Sequence, residues 1–67
     1  MPFLISLNGQ PCETSAQTVS ALVAELALAP EMLLIEHNGT ALHRSEWSGT
    51  PVAAGDRIEI LRVAAGG

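Results

Sequence analysis

Two Asn-Gly dipeptides, Asn8-Gly9 and Asn38-Gly39, each lie between short apolar runs, and they restrict the possible folds more than any other feature of the chain. A two-residue hairpin reversal needs positive φ at its central positions, which Asn tolerates and Gly adopts without steric cost. Each dipeptide therefore predicts a pair of antiparallel strands. In the first pair, Phe3 to Leu7 alternates, with Phe3, Ile5 and Leu7 on one face and Leu4 and Ser6 on the other. Gln10 to Thr14 returns as a strand that Pro11 confines to a sheet edge. In the second pair, Leu33 to His37 runs into Thr40-Ala41-Leu42.

Between the hairpins the pattern changes period. Val19, Leu22, Val23 and Leu26 recur at helical spacing after Thr18, whose hydroxyl can accept from the free amides of a first turn. The stripe reads as core, and Pro30 is expected to end the helix because the residue before a proline is pushed out of the α region. His43 to Val52 is irregular, Ala54-Gly55-Asp56 is a turn, and Arg57 to Val63 is the final strand. The sum is an α+β fold: a small mixed sheet of four to five strands with one helix packed across one face.

One helix covers one face only. In the final strand Ile58 and Ile60 take one side while Leu61 and Val63 take the other, as expected of a central strand. The helix accounts for Ile58 and Ile60. Leu61, with Leu4 on the outward side of the first strand, is left without cover. Two scattered surface leucines are common. Their place beside the strand that leads to the end of the sequence favours instead a partner surface formed by Leu4, Leu61 and Val63.

Sixty-seven residues make one domain, which buries only about 60% of its unfolded surface and leaves no room for a deep catalytic cleft. The 48% apolar content is enough for a core that needs no metal or cofactor. Seven acidic side chains against three arginines and no lysine give a formal charge of −4. That balance disfavours nucleic acid and suits an electropositive protein partner. Without lysine, the chain cannot build polymers of itself through lysine side chains. Cys12 is the sole cysteine, so no intramolecular disulfide forms; it reads as a small half-buried hydrophobe rather than a redox centre. The start, MPFLISLNG, lacks a basic leader, and no run approaches the roughly 20 apolar residues of a membrane span, so a cytoplasmic protein, monomeric when free, is expected.

No internal active site emerges. His37 and His43 are too few for a metal centre, Ser45 and Ser48 lack a nucleophile-elbow context, and Gly49 and Gly55 are isolated. Glu13, Glu25, Glu31, Glu36, Glu46 and Glu59 read as solvated charge, Asp56 as a turn-bonding group, and Trp47 as a ring over the edge of the core. The remaining candidate is Ala64-Ala65-Gly66-Gly67. Extended, four residues span at most about 14 Å, and their small side chains can thread a narrow channel. The carboxylate of Gly67 is anionic at neutral pH and can attack the α-phosphorus of ATP, giving an acyl adenylate open to a thiol, a persulfide or an amine. The expected organisation is a domain over residues 1–63 and a flexible tail over residues 64–67.

The two Asn-Gly turns, Thr18-Val19 with Leu22, Arg44-Ser45-Glu46-Trp47 after Asn38-Gly39, Gly55-Asp56-Arg57-Ile58, and Ala65-Gly66-Gly67 occur in this order. In that order the chain resembles, over nearly its whole length, the ThiS family of sulfur carriers in thiamin biosynthesis, ubiquitin-like β-grasp proteins. Glu36, His37 and His43 depart from the residues usual there. The resemblance implies that Gly67 is adenylated with ATP by a ThiF-type adenylyltransferase. It further implies that sulfur from a cysteine desulfurase converts Gly67 to a thiocarboxylate, and that a ThiG-type thiazole synthase takes up the sulfur. The chain itself would bind no cofactor and would not be an enzyme. Two other roles fit a Gly-Gly terminus: a sulfur carrier for molybdopterin synthesis, whose chains are usually longer, and a ubiquitin-like covalent modifier.

Overall fold

The computed structural model describes residues 1–63. It contains β1 (Phe3–Leu7), β2 (Gln10–Thr14), α1 (Val19–Glu25), β3 (Leu33–His37), β4 (Thr40–Leu42) and β5 (Arg57–Arg62). The five strands form one sheet in the order β2-β1-β5-β3-β4, so β5 is central and Pro11 lies on an edge strand. Both predicted hairpins are present. Asn8 and Asn38 have φ of 50°, and Gly9 and Gly39 follow at 81° and 86°, the double positive φ of a tight reversal. All pairings are antiparallel except β1 with β5, which run parallel in the register Ser6 to Arg57 and Leu7 to Ile58.

The helix starts as the sequence predicts. Thr18 Oγ1 accepts from the Ala21 amide at 3.1 Å, and Val19, Leu22 and Val23 are buried. Its N-terminus is tied to the loop before β5, since the Val19 amide donates to Thr50 and the Val52 amide to Gln17. The end differs from expectation. Pro30 does not terminate α1; it opens a short 3-10 turn at Pro30–Met32. The helix already ends at Glu25, five residues before Pro30, and Ala27 just beyond it takes a positive φ of 57°. The Ala27 amide then donates to Ala24 and the Leu28 amide to Val23, which satisfies the last carbonyls in a Schellman arrangement. Leu28 packs back on the core as the apolar partner of that motif.

The His43–Val52 stretch, irregular by sequence, contains a 3-10 helix at Arg44–Gly49. It carries Trp47 fully into the core, at 4% exposure, rather than over its edge. There Trp47 joins Ile5, Ala16, Val19, Leu22, Val23, Leu33, Ile35, Val52 and Ile58. Thr14, the one buried polar residue among those described, accepts from the Ala16 amide and donates to Glu25, so Glu25 is a helix-to-strand tie and not free surface charge.

Asp56 organises the turn before β5. Its carboxylate accepts from the Ala53 amide at 2.9 Å, lies 2.8 Å from His37 Nε2 and accepts from Asn38 Nδ2 at 3.3 Å. Partial burial works against the charged form. The Ala53, His37 and Asn38 hydrogen bonds, with attraction to His37, outweigh it and hold the carboxyl below its ordinary value of 3.8. The turn of the second hairpin is thereby fastened to the start of β5.

Ala27→Gly removes the left-handed penalty on a Cβ and should stabilise the domain by about 0.5 kcal/mol in urea unfolding. Asp56→Asn should cost about 1–2 kcal/mol at neutral pH, by loss of charge-assisted hydrogen bonds. A carboxyl with a depressed folded pKa stabilises above its unfolded pKa and loses that contribution as pH falls through the folded value. The gap between the wild type and Asp56→Asn should therefore hold from pH 7 to about 4 and close below it.

Candidate functional site

The helix and the 3-10 segments cover one face of the sheet and leave the other open. On the open face, strand alternation and register put Leu4 and Ser6 from β1, Arg57, Glu59 and Leu61 from β5, Leu34 and Glu36 from β3, and Ala41 from β4. Leu4, Leu34 and Leu61 are exposed to 59%, 58% and 63%, too much for core residues and unusual for three leucines on one small sheet.

The predicted partner surface is thus on one face, but it is not one patch. The Leu4 carbonyl accepts from Gly55, while Leu61 lies six residues further along, roughly 20 Å at strand rise. Leu61 instead pairs directly with Leu34 across β5 and β3. Val63 lies just past this pair, exposed, with its amide donating to Met32 at 2.7 Å. Leu34 was the missed residue. Strand parity alone could have found it, because Leu33 and Ile35 point into the core and Leu34 must point away. Beside the leucine pair, Leu34, Glu36, Ala41, Glu59 and Leu61 line a shallow groove.

Asn8 holds this end of β5 in place. β1 stops at Leu7, yet β5 continues, and the Asn8 side chain stands in for the missing strand. Its Oδ1 accepts from the Ile60 amide at 2.7 Å and its Nδ2 donates to the Ile60 carbonyl at 3.0 Å. One side chain therefore serves the hairpin turn and the central strand together.

The other candidates are held in structural roles. His37 faces Asp56, and the His43 amide donates to Glu46 at the start of the 3-10 helix. Cys12 is a half-buried free thiol opposite Ile5. Among the described residues no cluster of three or more His, Cys, Asp or Glu could hold a metal ion, and no helix is long and apolar enough to cross a membrane. The tail residues Ala64, Ala65, Gly66 and Gly67 lie outside the described residues.

A five-stranded mixed sheet gripping one helix, with the first and last strands parallel at its centre, defines a β-grasp domain. The ThiS family model matches residues 5–67, and the chain belongs to the ThiS family. It is similar to the crystal structure of a thiamine biosynthesis protein (ThiS) from Geobacter metallireducens, at 32% identity and a TM-score of 0.81, covering 97% of this chain and all of that one. It is similar as well to the NMR solution structure of a thiamine biosynthesis protein from the same organism, at 30% identity and a TM-score of 0.81, covering 97% of this chain and 88% of that one. No curated protein matches it significantly.

Leu61→Ser removes one member of an exposed cross-strand pair and should cost less than about 1 kcal/mol in stability. Calorimetric unfolding checks this; a loss of several kcal/mol would place Leu61 in the core.

Proposed function

We propose that the chain is a sulfur carrier of thiamin biosynthesis whose working group is the carboxylate of Gly67. The observation that carries this reading is the family match, which runs through the Gly-Gly pair to residue 67. In the proposed cycle the Gly67 carboxylate attacks the α-phosphorus of ATP in a ThiF-type adenylyltransferase and releases pyrophosphate. A persulfide whose outer sulfur originates from a cysteine desulfurase then displaces AMP to give an acyl disulfide, and a thiol reductant cleaves its S–S bond, leaving the thiocarboxylate on Gly67 and the donor thiol as a disulfide. A ThiG-type thiazole synthase takes this sulfur from the thiocarboxylate into the thiazole ring. Glycine suits the position because it has no side chain to hinder approach to the acyl carbon.

On this reading the chain supplies a handle and its partners supply the catalysis. ATP binds the activating partner. The domain's contribution is to be recognised and to aim the tail. β5 leads from the middle of the sheet to Val63, and Leu34 and Leu61 lie on the open face beside that exit. A partner seated on the leucine pair could take up at its active site the four tail residues, which span at most about 14 Å when extended.

Intact-mass measurement after co-expression with the adenylyltransferase and sulfur donor of the same organism tests the proposal. The expected species is heavier by one oxygen-to-sulfur exchange, localised to Gly67, and deletion of Gly67 should abolish it while leaving the unfolding midpoint unchanged. Recovery of the chain on lysines of other proteins would favour a covalent modifier. Transfer of the sulfur to a molybdopterin precursor and not to a thiazole would favour the molybdopterin branch. An unaltered mass under every condition would defeat the carrier reading.

A further inference from the structure

The groove beside Leu34 and Leu61 contains an arrangement that the fold itself does not need. The Asn38 amide donates to Arg57, and the Val63 amide donates to Met32. These two bonds bracket the β3–β5 ladder and fix Leu34 with Leu61, and Glu36 with Glu59, as directly opposed hydrogen-bonded pairs. Two carboxylates are thus held on exposed backbone about 5.5 Å apart at Cα, pointing out of the same face. Like charges directly opposite one another weaken a sheet. Ala41, opposite Glu36 on the far side, is too small to screen either.

Among the described residues nothing neutralises the pair. Among the described residues the only close contact between oppositely ionisable side chains is His37 with Asp56, near the other end of β3. Arg57 lies on the same face two residues from Glu59 but within ion-pair distance of none of the described carboxylates. The whole chain carries a formal charge of −4. The open face therefore presents an apolar pair and, one row away, an acidic pair, both lining one groove.

We propose that the protein partner docking on this face seats an arginine guanidinium between Glu36 and Glu59 and an apolar side chain on Leu34 and Leu61. The inference rests on the carrier reading for the identity of the partner, and it adds the chemistry by which that partner is recognised. A guanidinium is planar, remains charged, and presents several donors in a fixed fork, so it can bridge two carboxylates on neighbouring strands. A metal ion fits less well, since two carboxylates without a third ligand make an incomplete set, and the described residues offer no such cluster. Nucleic acid and anionic lipid are repelled by the same pair. The acid-acid repulsion that disfavours the free sheet becomes attraction in the complex, so it favours the bound state and speeds encounter.

The test measures binding of the full chain to the adenylyltransferase and to the thiazole synthase of the same organism, at low and high salt, for three forms: wild type, Glu36→Gln/Glu59→Gln and Leu34→Ser/Leu61→Ser. The glutamine form should bind at least one partner about tenfold or more weakly at low salt and lose most of the salt dependence. Its unfolding midpoint should rise, because the repulsion is gone. If the serine form loses binding while the glutamine form binds as wild type with the same salt dependence, the arginine inference fails and the docking face stands. Wild-type binding by both variants would remove the face and the inference together, while thiocarboxylate formation would still be read independently by mass. Binding that chelators abolish, or a lowered midpoint in the glutamine form, would assign the pair to a metal or to an internal role and overturn the proposal.

Discussion

The parallel pairing of β1 with β5 is the constraint on which the rest of the molecule depends. It joins the first strand to the last across both hairpins and the helix, so its loop-closure entropy is the largest of any pairing in the sheet. Yet the ladder has only two matched positions, Ser6 with Arg57 and Leu7 with Ile58. It is lengthened by backbone bonds from Gly55 to Leu4, from Ser6 to Asp56 and from Asn8 to Ile58, and then by the Asn8 side chain, which pairs both backbone groups of Ile60. Asn8 therefore has two roles with one chemistry: a short amide tolerates the left-handed turn and imitates a peptide unit beyond it. Asp56 does the matching work at the other hairpin, through Ala53, Asn38 and His37.

Much of this was legible in the sequence because it is local. The Asn-Gly pairs fix two reversals, period-two alternation fixes which residues of each strand share a face, and Thr18 with its apolar stripe fixes the helix start. The helix end was not legible. Ala27 adopts a left-handed φ that its residue type does not advertise, and the Schellman bonds that hold it there come from tertiary placement of Leu28. The 3-10 helix around Trp47 was hidden for a similar reason. Its order comes from packing of a single large ring against α1 and from the bonds that join residues 50 and 52 to the helix start.

The candidate site divides along the same line. That Leu61 faces away from the core follows from parity within one strand. That its neighbour is Leu34, and that Leu4 is some six residues distant, follows from register between strands far apart in sequence. No single strand's pattern encodes such a register; here the Asn38 turn and the Met32–Val63 bond set it. The same register turns Glu36 and Glu59 from two unremarkable surface acids into an opposed pair. Their meaning is a property of the sheet and not of either segment.

A sheet covered on one side only leaves its designer, selection, with an unequal problem. The covered face needs apolar residues for stability, and Ile5, Ile35 and Ile58 are buried there almost completely. The open face needs solubility, which would be met most simply by mixed charges on every outward position. Here those positions carry leucine opposite leucine and glutamate opposite glutamate, two choices that each work against the isolated domain, one through exposed apolar area and one through repulsion. Both costs vanish against a surface that is apolar and positively charged in adjoining rows. On the proposed carrier reading, the end of β5 beside that face ties recognition to delivery, because the segment to be delivered continues from Val63.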